Sequence, residues 1–235
     1  MNSGTPISLL PGKPENAESP ETLSALVRLV SQQNADLAEI ARMIYSVPSL
    51  HADLLRIAHI ESRSEAEFVV DTVEDALLRY GVGCVVVLVM RTPIANALVK
   101  TFATMFSLRL TSMNPRKAQS LEGEHLLGSI RFSGRTSGHI FLRLSYESSQ
   151  GILGLPPGGS LEATREMLNI MAGNFKFNLR AAGLDYHLQP PTVHSVNHFS
   201  LPVKRDGSTS IEHMAFHDGD IQIFLDVTAN SWGDE

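Results

Sequence analysis

Residues 161–182 read LEATREMLNIMAGNFKFNLRAA. Leu168, Met171, Ala172, Phe175 and Leu179 recur at spacings of three and four, so at about 100° per residue they form one apolar stripe of an amphipathic helix. Glu166, Asn169, Gly173, Lys176 and Arg180 keep the same rhythm about half a turn away. This second stripe carries a carboxylate, an amide three residues later, and then a glycine. Glu, Asn and Lys are ordinary on a solvated helix face, and a plain surface helix is the first reading. The Gly173-Asn174 pair argues for more, because both residues are poor helix formers and glycine costs roughly 1 kcal/mol relative to alanine in a helix interior. A packing or binding requirement is expected to offset that cost.

Outward from this helix, composition bounds the possibilities. At 235 residues the chain has room for one large domain or two small ones. A net charge of -6 gives no general attraction to nucleic acid or to an anionic membrane. The single cysteine, Cys84, leaves no intramolecular disulfide and no multi-cysteine metal site, as in a reducing compartment. The opening MNSGTPISLLPGKPENAESPE lacks a basic start followed by an apolar core, so no secretory signal is read. The apolar run from Val82 to Met90 falls well short of the roughly 20 residues that cross a bilayer. A cytoplasmic protein without a membrane span is expected.

Residues 1–19 are rich in Pro, Ser, Gly and Glu and read as a flexible lead-in. From Pro20 the pattern becomes helical, with Ser19 as cap, Pro20 at the first helical position, and Leu23, Leu26, Val27 and Val30 on the apolar face. Asn34 or Ala35 opens a second helix through Leu37, Ile40, Ala41 and Ile44. A third runs from His51 with Leu54, Leu55 and Ala58 inward. Val73, Ala76 and Leu77 give a fourth, which Gly81 stops. The run from Val82 to Met90 is β-branched and has the propensity of a buried strand, but its all-helical neighbourhood favours a buried helix. Pro93 is expected to open the last helix, residues 94–106, apolar on most sides. Short helices joined by short loops predict a helical bundle.

Within this bundle, Ile44, Pro48, Leu50, Leu54, Leu55 and Ala58, followed by Ala76, Leu77 and Gly81, resemble the HDOD domain over residues 20–106. HDOD is a helical module related to the HD hydrolases without their metal ligands. The resemblance implies a signalling or scaffolding role with no chemistry of its own. His51, Asp53 and His59 do not form the His-Asp constellation of the hydrolytic relatives.

Residues 107–122 are polar and read as a linker, with Arg109, Arg116 and Lys117 too few for a nucleic-acid patch. Beyond them the period drops to two. LLGSIRFSG and HIFLRLSY predict a hairpin with one buried face, Ile130 and Phe132 against Ile140, Leu142 and Leu144. Residues 148–155 are a short helix candidate, and Ser160 caps the long one. Strands are expected around residues 194–199, 201–203 and 214–216, and DIQIFLDVTA supplies the last, with Ile221, Ile223, Leu225 and Val227 alternating. The expected fold class is α+β, with an N-terminal helical bundle followed by an antiparallel sheet covered by helices over residues 123–235.

EMLNIMAGNFKFNL, followed by LQPPTV, resembles the CheC/CheX/FliY phosphatases of bacterial chemotaxis over residues 120–230. Their signature is a Glu, an Asn three residues on, and a proline some twenty residues beyond, which here are Glu166, Asn169 and Pro191. The FSGRTSGHIFL hairpin and the Gly173-Asn174 pair are also similar to the family. One such helix, without a second copy, is similar to the CheX type. Two departures stand out: Glu162 where the family often has Asp or Ser, and the fused HDOD-like half. The resemblance implies hydrolysis of the aspartyl phosphate of a response-regulator receiver domain in two-component signalling, with Glu166 and Asn169 as the catalytic pair. Gly173, Asn174, Lys176 and Arg180 are the weaker partner-binding candidates. It further implies that the Mg²⁺ belongs to the receiver, with no cofactor bound by this chain, and that a homodimer is possible.

An aspartyl phosphate is a mixed anhydride, whose hydrolysis needs a water in line with phosphorus. The amide of Asn169 can donate to and accept from that water without becoming a strong base. Glu166 can pair with a cation of the partner. The alternative reading is a receiver-binding or scaffolding module without turnover. His187, His194 and His198 lack the cysteine and carboxylate company of a zinc site, and no metal is expected there. Ser195 and His198 lack the third group of a nucleophilic triad.

Overall fold

The computed structural model describes residues 20–30, 32, 34–62, 70–115, 124–134, 136–153, 160–201 and 209–230. The lead-in, residues 202–203 of the strand expected at 201–203, residues 116–122 of the linker with Arg116 and Lys117, and the side chains of Ala58, His59 and Ser160 lie outside them. Five helices come first: α1 Pro20–Val30, α2 Leu37–Tyr45, α3 Pro48–Ser62, α4 Val73–Tyr80 and α5 Gly83–Phe106. Local chemistry sets several of their ends. Asp36 caps α2 by accepting from Ala38 N at 2.9 Å. Thr72 caps α4 by accepting from Asp75 N at 3.0 Å, and its hydroxyl donates to the Asp75 carboxylate at 2.6 Å, a reciprocal clasp. Ser107, with φ 57°, ends α5 in the left-handed conformation, and Leu108 N donates back to Phe102 O at 3.2 Å.

The β-branched run is helical, and its helix does not stop where Pro93 was expected to start a new one. Residues 83–90 are buried on every side, so contacts around the whole circumference outweigh a modest propensity deficit. Gly83 fits because a Cβ there would lie 3.0 Å from Asn230 O and 3.1 Å from Ala229 O. Pro93 sits inside the helix, leaving the Val89 carbonyl without its usual donor. Continuity through Pro93 makes α5 a 24-residue helix, long and apolar enough by length and composition to cross a bilayer, with 61% of its most apolar window buried inside the protein.

The second part holds a seven-stranded antiparallel sheet in the order β1-β6-β7-β3-β2-β4, with β5 also pairing β2. The strands are β1 Thr111–Met113, β2 His125–Ser133, β3 Gly138–Ser145, β4 His187–Leu188, β5 Thr192–Val196, β6 Thr209–Asp218 and β7 Ile221–Asn230. Two more helices, α6 Tyr146–Leu153 and α7 Ser160–Ala181, are inserted between β3 and β4. The predicted hairpin is present, pairing Ile130 with Ile140. Thr111–Met113, inside the stretch read as a linker, is an edge strand paired with β6. An N-terminal helical region followed by an antiparallel sheet covered by helices is therefore the architecture.

Helix α5 packs against α7, β6 and β7 as well as against α1, α3 and α4. One hydrophobic core consequently runs from Leu26 and Ile40 through Leu88 and Phe102 to Leu142, Leu225 and Phe175. Ion pairs reinforce the junction. Arg56 of α3 holds both carboxylate oxygens of Glu212 of β6 at 2.8 and 3.0 Å. Arg91 of α5 pairs with Asp53 of α3 and lies 3.7 Å from Glu212. Burial pushes the Glu212 carboxyl above its ordinary value, against the pull of Arg56 and Arg91. At Asp53 burial also pushes upward, but hydrogen bonding and charge from Arg91, with Arg56 behind them, hold the carboxyl below its ordinary value.

Candidate functional site

Helix α7 is anchored by its apolar stripe. Leu168, Met171, Phe175 and Leu179 are each at most 1% exposed, and Met167 is 2% exposed. Each such side chain contributes roughly 1.5–3 kcal/mol on burial, which far outweighs the roughly 1 kcal/mol that a mid-helix glycine costs. Gly128 of β2 makes the close seating possible, since a Cβ there would fall 2.3 Å from Leu168 Cδ1. The Leu168 side chain therefore packs directly on the backbone of β2 at Gly128.

The opposite stripe faces outward. Glu166, Asn169, Gly173, Lys176 and Arg180 are all exposed. Arg180 pairs with Asp185 at 3.2 Å. Glu166, Asn169 and Lys176 make no side-chain hydrogen bond or ion pair among the described residues. Thus a free carboxylate, a free amide and a free ammonium stand on one helix face, with nothing in the described chain to satisfy them.

The Gly-Asn pair divides its labour. Asn174 Nδ2 donates to Thr101 Oγ1 at 2.8 Å, and that hydroxyl donates to Ala97 O at 2.7 Å. Asn178, one turn on, donates to Pro93 O at 3.2 Å. Both amides tie α7 to α5, which gives Asn174 a task inside the chain. Gly173 has none among the described residues, for a Cβ built there meets no atom of them within 4 Å. Its φ is not positive, so the backbone does not demand glycine either.

Pro191 is half-buried just before β5, the strand that packs against α7. A cavity of about 360 Å³ opens between α1, α5 and the C-terminal end of α7, lined by Leu23, Val27, Asn96 and Asn178 among others; Glu166 and Asn169 are not part of it. The polar stripe of α7 therefore stands on an exposed helix face, outside that cavity. His187, His194 and His198 are exposed, and among the described residues no three His, Cys, Asp or Glu side chains are placed to hold a metal ion.

Sequence reasoning missed two members of this face. Ile170 is 38% and Phe177 70% exposed, one on each side of Gly173. The signal was available: both fall off the buried stripe, and their spacing of seven places them on one side of the helix.

This geometry is that of a helical module joined to a helix-covered sheet, with a polar stripe exposed on α7. A family model, the HDOD domain, matches residues 17–114. No curated protein matches the chain. Among solved structures, the chain is similar to the chemotaxis protein CheX from Vibrio vulnificus, at 23% identity and a TM-score of 0.50, over 60% of this chain and 96% of that one. It is also similar to a CheC-like superfamily protein from Shewanella sp. PV-4, at 17% identity and a TM-score of 0.48, over 60% of this chain and 97% of that one. A third similar structure is a chain of the CheX-CheY-BeF3-Mg²⁺ complex from Borrelia burgdorferi, at 18% identity and a TM-score of 0.42, over 60% of this chain and 97% of that one. The N-terminal region is HDOD-like, and the sheet-bearing part shares the CheX fold.

Proposed function

We propose that the chain is a phosphatase that hydrolyses the aspartyl phosphate of a response-regulator receiver domain, with Asn169 and Glu166 on α7 as its working pair. The observation that carries this reading is the exposed stripe in which free Glu166 and Asn169 lie beside a glycine that neither the fold nor the backbone requires. A helix interior that keeps Gly173 against its propensity is one against which another surface must come close. The Glu-x-x-Asn spacing of the CheX type and the CheX fold around it support the same reading.

In this mechanism the Asn169 amide holds a water in line with the phosphorus. The water oxygen forms the new bond to phosphorus as the bond to the aspartyl oxygen breaks, releasing inorganic phosphate and the free carboxylate, with the water's proton passing to the phosphate. Glu166, one turn earlier, pairs with a cation of the receiver and fixes the helix over the phosphoryl group. Mg²⁺ is expected on the receiver, where it shields the phosphoryl oxygens. The test separates the two roles. Asn169→Ala is expected to lower kcat by about a hundredfold or more, the scale of a lost positioning contact, while Glu166→Gln mainly raises KM. Binding to phosphorylated receivers without any Asn169-dependent turnover would leave a docking module in place of an enzyme.

A further inference from the structure

Four residues at i, i+3, i+4 and i+7 of a helix border a hollow that a side chain from a facing element can enter. On α7 Ile170, Gly173, Asn174 and Phe177 have this spacing. The floor is Gly173, with open space above it, and the two ends are Ile170 and Phe177, about 10 Å apart along the axis at 1.5 Å per residue. Most exposed apolar side chains on a protein surface stand singly and need no explanation. Here two of them, one a 70% exposed phenylalanine, bracket the one position of the helix from which a side chain has been removed without any internal reason.

We infer that this hollow is the specificity-determining seat for the partner, taking one apolar side chain of the receiver while Phe177 packs against the receiver surface beside it. The inference rests on the phosphatase reading, which supplies the occupant. Asn169 and Glu166 lie on the same face within a turn of the hollow, so whatever presents a phosphoryl group to Asn169 must also cover Gly173. Charge favours the same occupant, because Lys176 is exposed beside the hollow with no ion pair among the described residues and faces the acidic surroundings of a phosphorylated carboxylate. Aromatic anchors of this kind dominate interface energetics, whereas rim charges chiefly set the rate of encounter.

The test measures binding in the Asn169→Ala background, where the phosphoryl group survives, against receiver domains of the same genome phosphorylated by acetyl phosphate. Phe177→Ser is expected to weaken binding about tenfold or more, the effect of removing an interface anchor, and Phe177→Leu to restore most of it. Phe177 has little packing to lose, so circular dichroism should show both variants folded. Binding left unchanged by Phe177→Ser and Ile170→Ser overturns the inference while sparing the phosphatase reading, provided wild type still releases phosphate. A Phe177→Ser variant that dissociates a dimer in sedimentation, with receiver binding intact, assigns the hollow to a second copy of this chain and likewise overturns it. If wild type neither binds nor dephosphorylates any receiver, the phosphatase reading itself has failed and the inference falls with it.

Discussion

Gly173 answers to two opposing demands. Helix stability favours alanine there by roughly 1 kcal/mol, and the space above it is open, so Gly173→Ala should raise the thermal midpoint by about 2–4 °C. The same substitution places a methyl group between the helix and its partner, so receiver dephosphorylation should fall. A differential scanning calorimetry trace beside a phosphate-release assay reads both effects. A variant that is both more stable and fully active would remove the case for close approach. Asn174 lies on the other side of this division. Asn174→Ala removes the bond to Thr101 and should cost about 1 kcal/mol of stability in urea unfolding.

Among the elements, α7 was legible because a buried stripe of period 3.6 and a polar stripe opposite it are written in successive residues. The β2–β3 hairpin and β7 were legible for the same reason at period two. Helix α5 was legible only in part. Its β-branched start is helical because of what surrounds it, and its passage through Pro93 depends on packing from both sides, which no local pattern records. Strand β1 is three residues long and takes its register from β6, far away in sequence. The exposure of Phe177 required knowing that no element among the described residues covers that side of α7.

The ion cluster that joins α3, α5 and β6 belongs to this scale too, and it gives a pH dependence. Asp53 has its carboxyl held below the ordinary 3.8, so its stabilising contribution is present above that value and is lost as pH falls through the lowered one. Glu212, raised above its ordinary 4.5 chiefly by burial, acts in the opposite sense, with a contribution full below 4.5 and lost as pH rises through the raised value. Urea unfolding of wild type and Asp53→Asn at a series of pH values should show a stability gap near neutrality that narrows once pH drops below about 4. A gap that widens on acidification contradicts the ion-pair account.

For the whole molecule, the decisive feature is that α5 serves both halves. The HDOD match ends at residue 114, after α5 and β1, yet α5 is also a helix that covers the sheet beside α7. With one hydrophobic core across the junction, the described halves should unfold together. Calorimetry should give a single transition, with calorimetric and van't Hoff enthalpies in agreement; two separated transitions would mean that the halves are independent.

Removal of a phosphoryl group from a receiver by the outward face of α7 is the proposed activity. Its most direct test is the decay of aspartyl phosphate on each receiver domain of the same genome, followed with wild type and with Asn169→Ala. At least one receiver should lose its phosphoryl group much faster with wild type than alone, and return to its intrinsic decay with the variant. Intrinsic decay for every receiver in the presence of wild type would contradict the claim.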